Sequence, residues 1–218
     1  MTGSAKISLC KAVINLDDSS APVTATQLRG YLGNLFVEDA EFHHHSDRSF
    51  HYPLIQYKKI DGRLIVVGLQ NYAPVLLNRV AQLDRIIVAG EAVKVHTVDV
   101  HLDEYEVDAQ THHYQFATPW IALSEKNYAK FRNMAAENRR PFLEQILVGN
   151  TLSALKGLGI YVNHRVVATM TQYESVKVRV HQNDFEAFHA RFSLNVGLPD
   201  FIGLGKSVSK GFGSVRRI

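Results

Sequence analysis

The sequence predicts an α+β fold made of two successive αβ units, and three observations carry that prediction. A length of 218 residues suits one large domain or two small ones. Along the first half, period-two and period-3.6 apolar patterns alternate in the order strand, helix, strand, hairpin, strand, helix, strand. An acidic segment without Lys or Arg, residues 99–112, then interrupts the pattern before a second series of strands and helices begins. The first-half string is the split βαβ, or ferredoxin-like, order, with the sheet order taken as its commonest closure. The second half reads as a second, more divergent αβ sandwich, and the two domains are expected at 1–108 and 109–218.

The elements read in order. Residues 6–16 alternate as a strand with Ile7, Leu9 and Val13 on its buried side. Thr24 or Thr26 caps a helix running to about Phe36, with Leu28, Tyr31, Leu32 and Leu35 as its apolar stripe. Arg29 lies off that stripe, free to meet solvent or ligand. Residues 50–60 read as a strand on which Tyr52, Leu54, Gln56 and Lys58 share a face, and Pro53 favours a strand start or edge. Asp61-Gly62 is a two-residue hairpin turn into the partner strand 63–70. Pro74 opens a helix over 74–84, and extended segments flank Gly90 over 85–108. In the second half, a strand over 113–123 precedes a helix capped by Ser124 and running to about Asn138. A separate helix starts at Pro141 and is stopped by Gly157 and Gly159. Strands are expected over 165–172, 176–181 and 185–196.

Composition limits the function classes. The 46% hydrophobic content is that of a globular protein with a real core. The N-terminal MTGSAKISLC has no apolar run of signal-peptide length, and no stretch approaches the ~18 apolar residues of a membrane span. Cys10 is the only cysteine, so an intramolecular disulfide is impossible, as suits a reducing cytoplasm. The net charge is +3, but Asp99, Asp103, Glu104, Glu106 and Asp108 hold five of the 21 acidic side chains in one short segment. From Lys206 onward the chain carries Lys206, Lys210, Arg216 and Arg217 and no acidic residue. A polyanionic partner bound away from the acidic segment is the expectation.

The stretch FHHHSDRSFHYPLIQYK, residues 42–58, concentrates proton-transfer chemistry. It holds His43, His44, His45 and His51 of the eleven histidines, together with Tyr52 and Lys58. Histidine both takes and gives a proton near neutral pH. Tyrosine and lysine hold or neutralise an oxyanion. The competing reading is a polar loop whose histidines are only solvated.

The C-terminal DFIGLGKSVSKGFGSVRRI carries two glycine pairs, Gly203 with Gly205 and Gly211 with Gly213, with Lys206 and Lys210 between them. Glycine allows backbone amides to approach a phosphate, and lysine supplies charge. A nucleotide P-loop needs GxxxxGK before Ser or Thr, and here GKS follows only GL. A dinucleotide fingerprint opens a helix after an early strand, which this segment does not.

These residues carry a family resemblance. GLGKSVSKGFGSV resembles the glycine-rich loop of the CRISPR-associated repeat-processing endoribonucleases, the Cas-six family. LRGYLGNLF, then FHHH, then HYPLIQYKKIDGRLIVVGL is similar to the N-terminal half of its subtype I-B branch. The resemblance spans the whole length and is strongest over 28–69 and 201–215. It implies tandem ferredoxin-like folds and metal-free cleavage of CRISPR precursor RNA within each repeat. A 2′-hydroxyl attacks the neighbouring phosphate, leaving a 2′,3′-cyclic phosphate and a 5′-hydroxyl. It also implies general acid–base histidines after the first helix and a tyrosine at the next strand. Those positions are His45 first, His43 second and Tyr52, with His44 kept open because three adjacent histidines leave the register uncertain by one. Lys58, Gly203, Gly205, Lys206, Lys210, Gly211 and Gly213 are the expected RNA-binding residues, and no cofactor is expected. Partners would be precursor and mature guide RNA, with other subunits of an interference complex or a second copy of the chain as further candidates.

Two other readings compete. One is a metal site on His43, His45 and His51 with Asp47, since zinc accepts imidazole readily, although the spacing matches no metal motif. The other is a non-cutting RNA-binding subunit of the same fold.

Overall fold

The computed structural model describes residues 5–18, 21–36, 51–180 and 182–218. These divide into two compact units, one holding Lys6–Tyr105 with Val208–Gly211, the other Glu106–Ser207 with Phe212–Ile218.

The first unit runs β1 (Ala5–Leu16), α1 (Ala25–Leu35), β2 (Ile55–Ile60), β3 (Arg63–Leu69), α2 (Tyr72–Val80), β4 (Arg85–Val88) and β5 (Glu91–Val107). Its sheet order is β2-β3-β1-β5-β4, the ferredoxin-like order with β4 added as a hairpin at one edge. Register is set by short turns. Asp61 and Gly62 both take positive φ (50° and 77°), the geometry of a tight hairpin, and pair Ile60 with Arg63. Lys6 reaches Glu104 while Asn15 reaches Thr97 and Asp99, so β1 and β5 run in opposite senses.

Helix α1 starts as a capping box. The Thr24 hydroxyl accepts from the Gln27 amide at 3.2 Å, and the Gln27 side-chain oxygen accepts from the Thr24 amide at 2.9 Å. Ala25, Leu28 and Leu32 face the core, which also takes Cys10, Ala12 and Ile14 from β1, Ile55 and Tyr57 from β2, and Leu76 and Val80 from α2. Two expectations are corrected here. Leu35 lies at the last turn of α1 and is 50% exposed, because the inward face is already filled by Leu28 and Leu32. Val13 is only half-buried: the β1 face under the helices is that of Cys10, Ala12 and Ile14, with Ile7 and Leu9 buried on the other face.

The second unit runs β6 (His112–Phe116), α3 (Glu125–Arg132), α4 (Ala136–Gly157), β7 (Ala168–Val180), β8 (Asn183–Leu194) and β9 (Val215–Arg217), in sheet order β7-β8-β6-β9. This is again the ferredoxin-like strand order. Ser124 caps α3 by accepting from the Asn127 amide at 3.2 Å. The separate helix at Pro141 is corrected: α4 already starts at Ala136, and Pro141 lies inside it, where its missing N–H leaves the Glu137 carbonyl without the usual helical donor. The two strands expected at 165–172 and 176–181 are one strand, β7, with a register shift between Met170 and Gln172. Tyr114, Phe116, Trp120, Phe188 and Phe192 form a stacked aromatic core, with Phe116 and Trp120 5.0 Å apart.

Candidate RNA-processing site

His43, His44 and His45 lie outside the described residues. What the structure describes is the chain that follows them. Just before β2, the Tyr52 hydroxyl accepts from Gln56 Nε2 at 2.9 Å, and the same nitrogen donates to the Pro53 carbonyl at 3.0 Å. Tyr52 therefore belongs with Gln56 although the strand itself starts only at Ile55. On β2, Gln56 and Lys58 share one face and are both fully buried, while Ile55 and Tyr57 enter the core from the other.

Lys58 Nζ donates to Gln56 Oε1 at 3.0 Å. Burial disfavours its charged form and lowers its pKa to about 7. The expected direct contact of Lys58 with phosphate thus meets an ammonium that solvent does not reach. His51, next to Tyr52, is exposed.

The glycine-rich segment is built by packing. Leu204 donates to the Gly213 carbonyl at 2.8 Å, Gly213 to the Pro119 carbonyl at 2.9 Å, and Lys206 to the Ile121 carbonyl at 3.0 Å. A Cβ on Gly213 would overlap the Leu204 carbonyl, and Gly213 also has φ +65°. Gly205 lies against the Trp120 indole. Val208–Lys210 form a 3₁₀ turn whose following residue, Gly211 (φ +99°), lies against Ala25 of α1 and the Tyr57 carbonyl of β2. The amides of Gly211 and Gly213 donate to Val208 and Pro119, so the protein itself takes up these two donors. Lys206 and Lys210 remain partly exposed.

Beside this turn stands a side chain that the sequence places off the apolar stripe and free to meet solvent or ligand, whereas the structure buries part of it. Arg29 sits one turn beyond Ala25, on the same face of α1. Its Nε is buried without a hydrogen-bond partner, as is the Tyr57 hydroxyl. Burial raises the Tyr57 pKa while the Arg29 charge opposes that rise, and burial followed by the same charge lowers that of Lys210. Arg29 therefore lies within electrostatic reach of both. Sequence reasoning places Gln56 on one face with Tyr52 and Lys58 but gives it no role; its signal is its place four residues after Tyr52 and two before Lys58. Among the described residues no three His, Cys, Asp or Glu side chains come together as a metal site, and His43, His45 and Asp47 fall outside them. Among the described residues no helix is long and apolar enough to cross a membrane.

Comparison with known proteins identifies the architecture. The Cas6b N-terminal domain model matches residues 5–106, and the Cas6b C-terminal domain model matches 106–218. An uncharacterised protein of Methanocaldococcus jannaschii is 40% identical over 119 residues, which is 55% of this chain and 81% of that protein. A crystal structure of Cas6b is similar with TM-score 0.87 and 27% identity, covering 98% of this chain and 100% of that one. The crystal structure of a CRISPR RNA processing endoribonuclease Cas6b has TM-score 0.77 and 24% identity, with 98% and 100% coverage. Cas6 of Thermus thermophilus shares the fold at TM-score 0.58 and 12% identity, with 100% of both chains covered. Both domain models match in order, one after the other, over two ferredoxin-like sheets, and on that ground the chain belongs to the Cas6b family.

Proposed function

We propose that this protein is an endoribonuclease that cuts CRISPR precursor RNA within its repeats, without a metal ion, to release guide RNAs. The observation that carries the reading is the ordered match of both Cas6b domains along the chain, from residue 5 to residue 218.

The reaction is a transesterification. A histidine takes the proton of the 2′-hydroxyl, the 2′-oxygen bonds to the adjacent phosphorus, the bond to the 5′-oxygen breaks, and that oxygen takes a proton. The products are a 2′,3′-cyclic phosphate and a 5′-hydroxyl. His45 is assigned first and His43 second to the proton transfers, each step worth roughly 10²–10⁴ in rate. Tyr52 donates a hydrogen bond to oxygen that gains charge as the bonds exchange. Lys206 and Lys210 hold the RNA backbone, on a turn whose shape is set by Gly203, Gly205, Gly211 and Gly213.

The test is incubation of repeat RNA with purified protein in EDTA, followed by analysis of the ends. Cleavage to cyclic phosphate and 5′-hydroxyl ends is expected. Cleavage abolished by EDTA would return the metal reading, and RNA binding without cleavage would return the non-cutting one.

A further inference from the structure

We propose that Lys58 and Gln56 are positioning residues that fix the hydrogen-bond direction of the Tyr52 hydroxyl. The inference rests on the reading that Tyr52 takes part in RNA cleavage.

The argument begins with what each group can do. An ammonium donates and never accepts. Below its pKa of about 7 Lys58 is an ammonium, its Nζ 3.0 Å from the Gln56 side chain, so Gln56 presents its oxygen there. The amide nitrogen is then turned the other way, and it has two hydrogens. One goes to the Pro53 carbonyl at 3.0 Å and the other to the Tyr52 hydroxyl at 2.9 Å. Tyr52 Oη is thereby an acceptor towards Gln56, and its own hydrogen is directed away from Gln56. That is the state in which a phenol can donate to a phosphate or leaving-group oxygen.

Without the ammonium, only the Pro53 carbonyl opposes the flipped orientation of Gln56. Its oxygen would face Tyr52 and accept the phenolic hydrogen, removing the donor from the reaction. The array is closed to solvent at both Gln56 and Lys58. Water therefore does not compete for either contact, and the orientation is held by Lys58 on one side of Gln56 and the Pro53 carbonyl on the other. In its charged form Lys58 costs stability, because a buried ammonium bonded to a neutral amide is destabilising relative to an apolar side chain of similar size. Its two-residue spacing from Gln56 puts the two on one face of β2 and within bonding distance.

The experiment measures, below pH 7 where Lys58 is charged, single-turnover cleavage of repeat RNA, and its dissociation constant, for the full chain and four variants: Tyr52→Phe, Lys58→Met, Gln56→Glu and the double variant Lys58→Met with Tyr52→Phe. Lys58→Met is expected to slow cleavage roughly 10- to 100-fold with binding unchanged. In the double variant cleavage should be no slower than in Tyr52→Phe alone, because both changes remove the same hydrogen bond. Gln56→Glu keeps an acceptor for Lys58 and offers no donor to Tyr52 or to the Pro53 carbonyl, so it is expected to lose rate, with its fold checked by circular dichroism. The proposal is overturned if Lys58→Met or Gln56→Glu cleaves at the wild-type rate. It is equally overturned if the two losses multiply in the double variant, or if Lys58→Met weakens binding as much as rate, which would mark a direct phosphate contact. If the wild-type chain does not cut RNA, the functional reading fails and this proposal with it. A wild-type chain that cuts alongside variants that cut equally well rejects the positioning role alone.

Discussion

The Lys58 ammonium lies 3.0 Å from the side-chain oxygen of Gln56, and burial alone brings its pKa down to about 7. Between that value and its ordinary 10.5, the unfolded chain holds a proton on Lys58 that the folded chain has released. Stability therefore rises with pH through this window, by at most about 1.4 kcal/mol per pH unit from this group. Below pH 7 both states are protonated, and the fold bears the full cost of the buried charge. Lys58→Met is expected to raise stability at pH 6 and to flatten the rise from pH 7 to 9, as followed by urea unfolding. Parallel curves for the two proteins would refute this. The comparison stops at pH 9 because burial raises the Cys10 thiol to about 11, a shift that lowers stability as pH increases beyond its ordinary 9.0.

His45→Ala is expected to slow repeat cleavage by roughly 10²–10⁴, and His43→Ala to slow it by less, with RNA affinity retained in both. Single-turnover kinetics with a parallel binding titration decide the assignment. A normal rate for both single variants and the double would remove these positions from the chemistry.

Lys206→Ala with Lys210→Ala is expected to weaken RNA binding and to make it less sensitive to salt. Each lost phosphate contact on a single strand lowers the slope of log affinity against log salt by roughly 0.7. Titrations at several salt concentrations measure it. An unchanged slope would mean that these lysines do not touch the RNA backbone.

Two glycines should respond in opposite directions. Gly211 has φ +99°, and a Cβ there would come within 2.9 Å of the Ala25 Cβ, so Gly211→Ala is expected to cost about 1–3 kcal/mol. Gly30 lies inside α1, and a methyl group added there would meet nothing within 4 Å, so Gly30→Ala is expected to stabilise by about 0.5–1 kcal/mol. Thermal unfolding of the two variants checks the contrast.

The strand and helix order of the first unit is legible in the sequence because its signals are local. The Asp61-Gly62 turn, the Thr24 cap and the shared face of Gln56 and Lys58 each need only a few neighbouring residues. Pro141 misleads because a proline reads as a helix start, whereas tertiary packing of Leu143 and Leu147 carries α4 through it. The tail reads as glycine-rich for phosphate; its contacts with Trp120, Leu204 and Tyr57 come from residues outside any local pattern, so the sequence alone does not reveal them. Gln56 and Arg29 escape for the same reason: the partner of one and the buried surroundings of the other emerge only once β2 and α1 are in place.

Strand β2 ends its sheet, and the Val208–Gly211 turn lies along its backbone at Tyr57 and Lys58. A bare terminal strand is a template on which another polypeptide can add itself. The turn therefore occupies part of that edge, and a substitution that lifts it, such as Gly211→Ala, is expected to expose backbone there as well as to lower the melting temperature; light scattering against protein concentration checks the first effect.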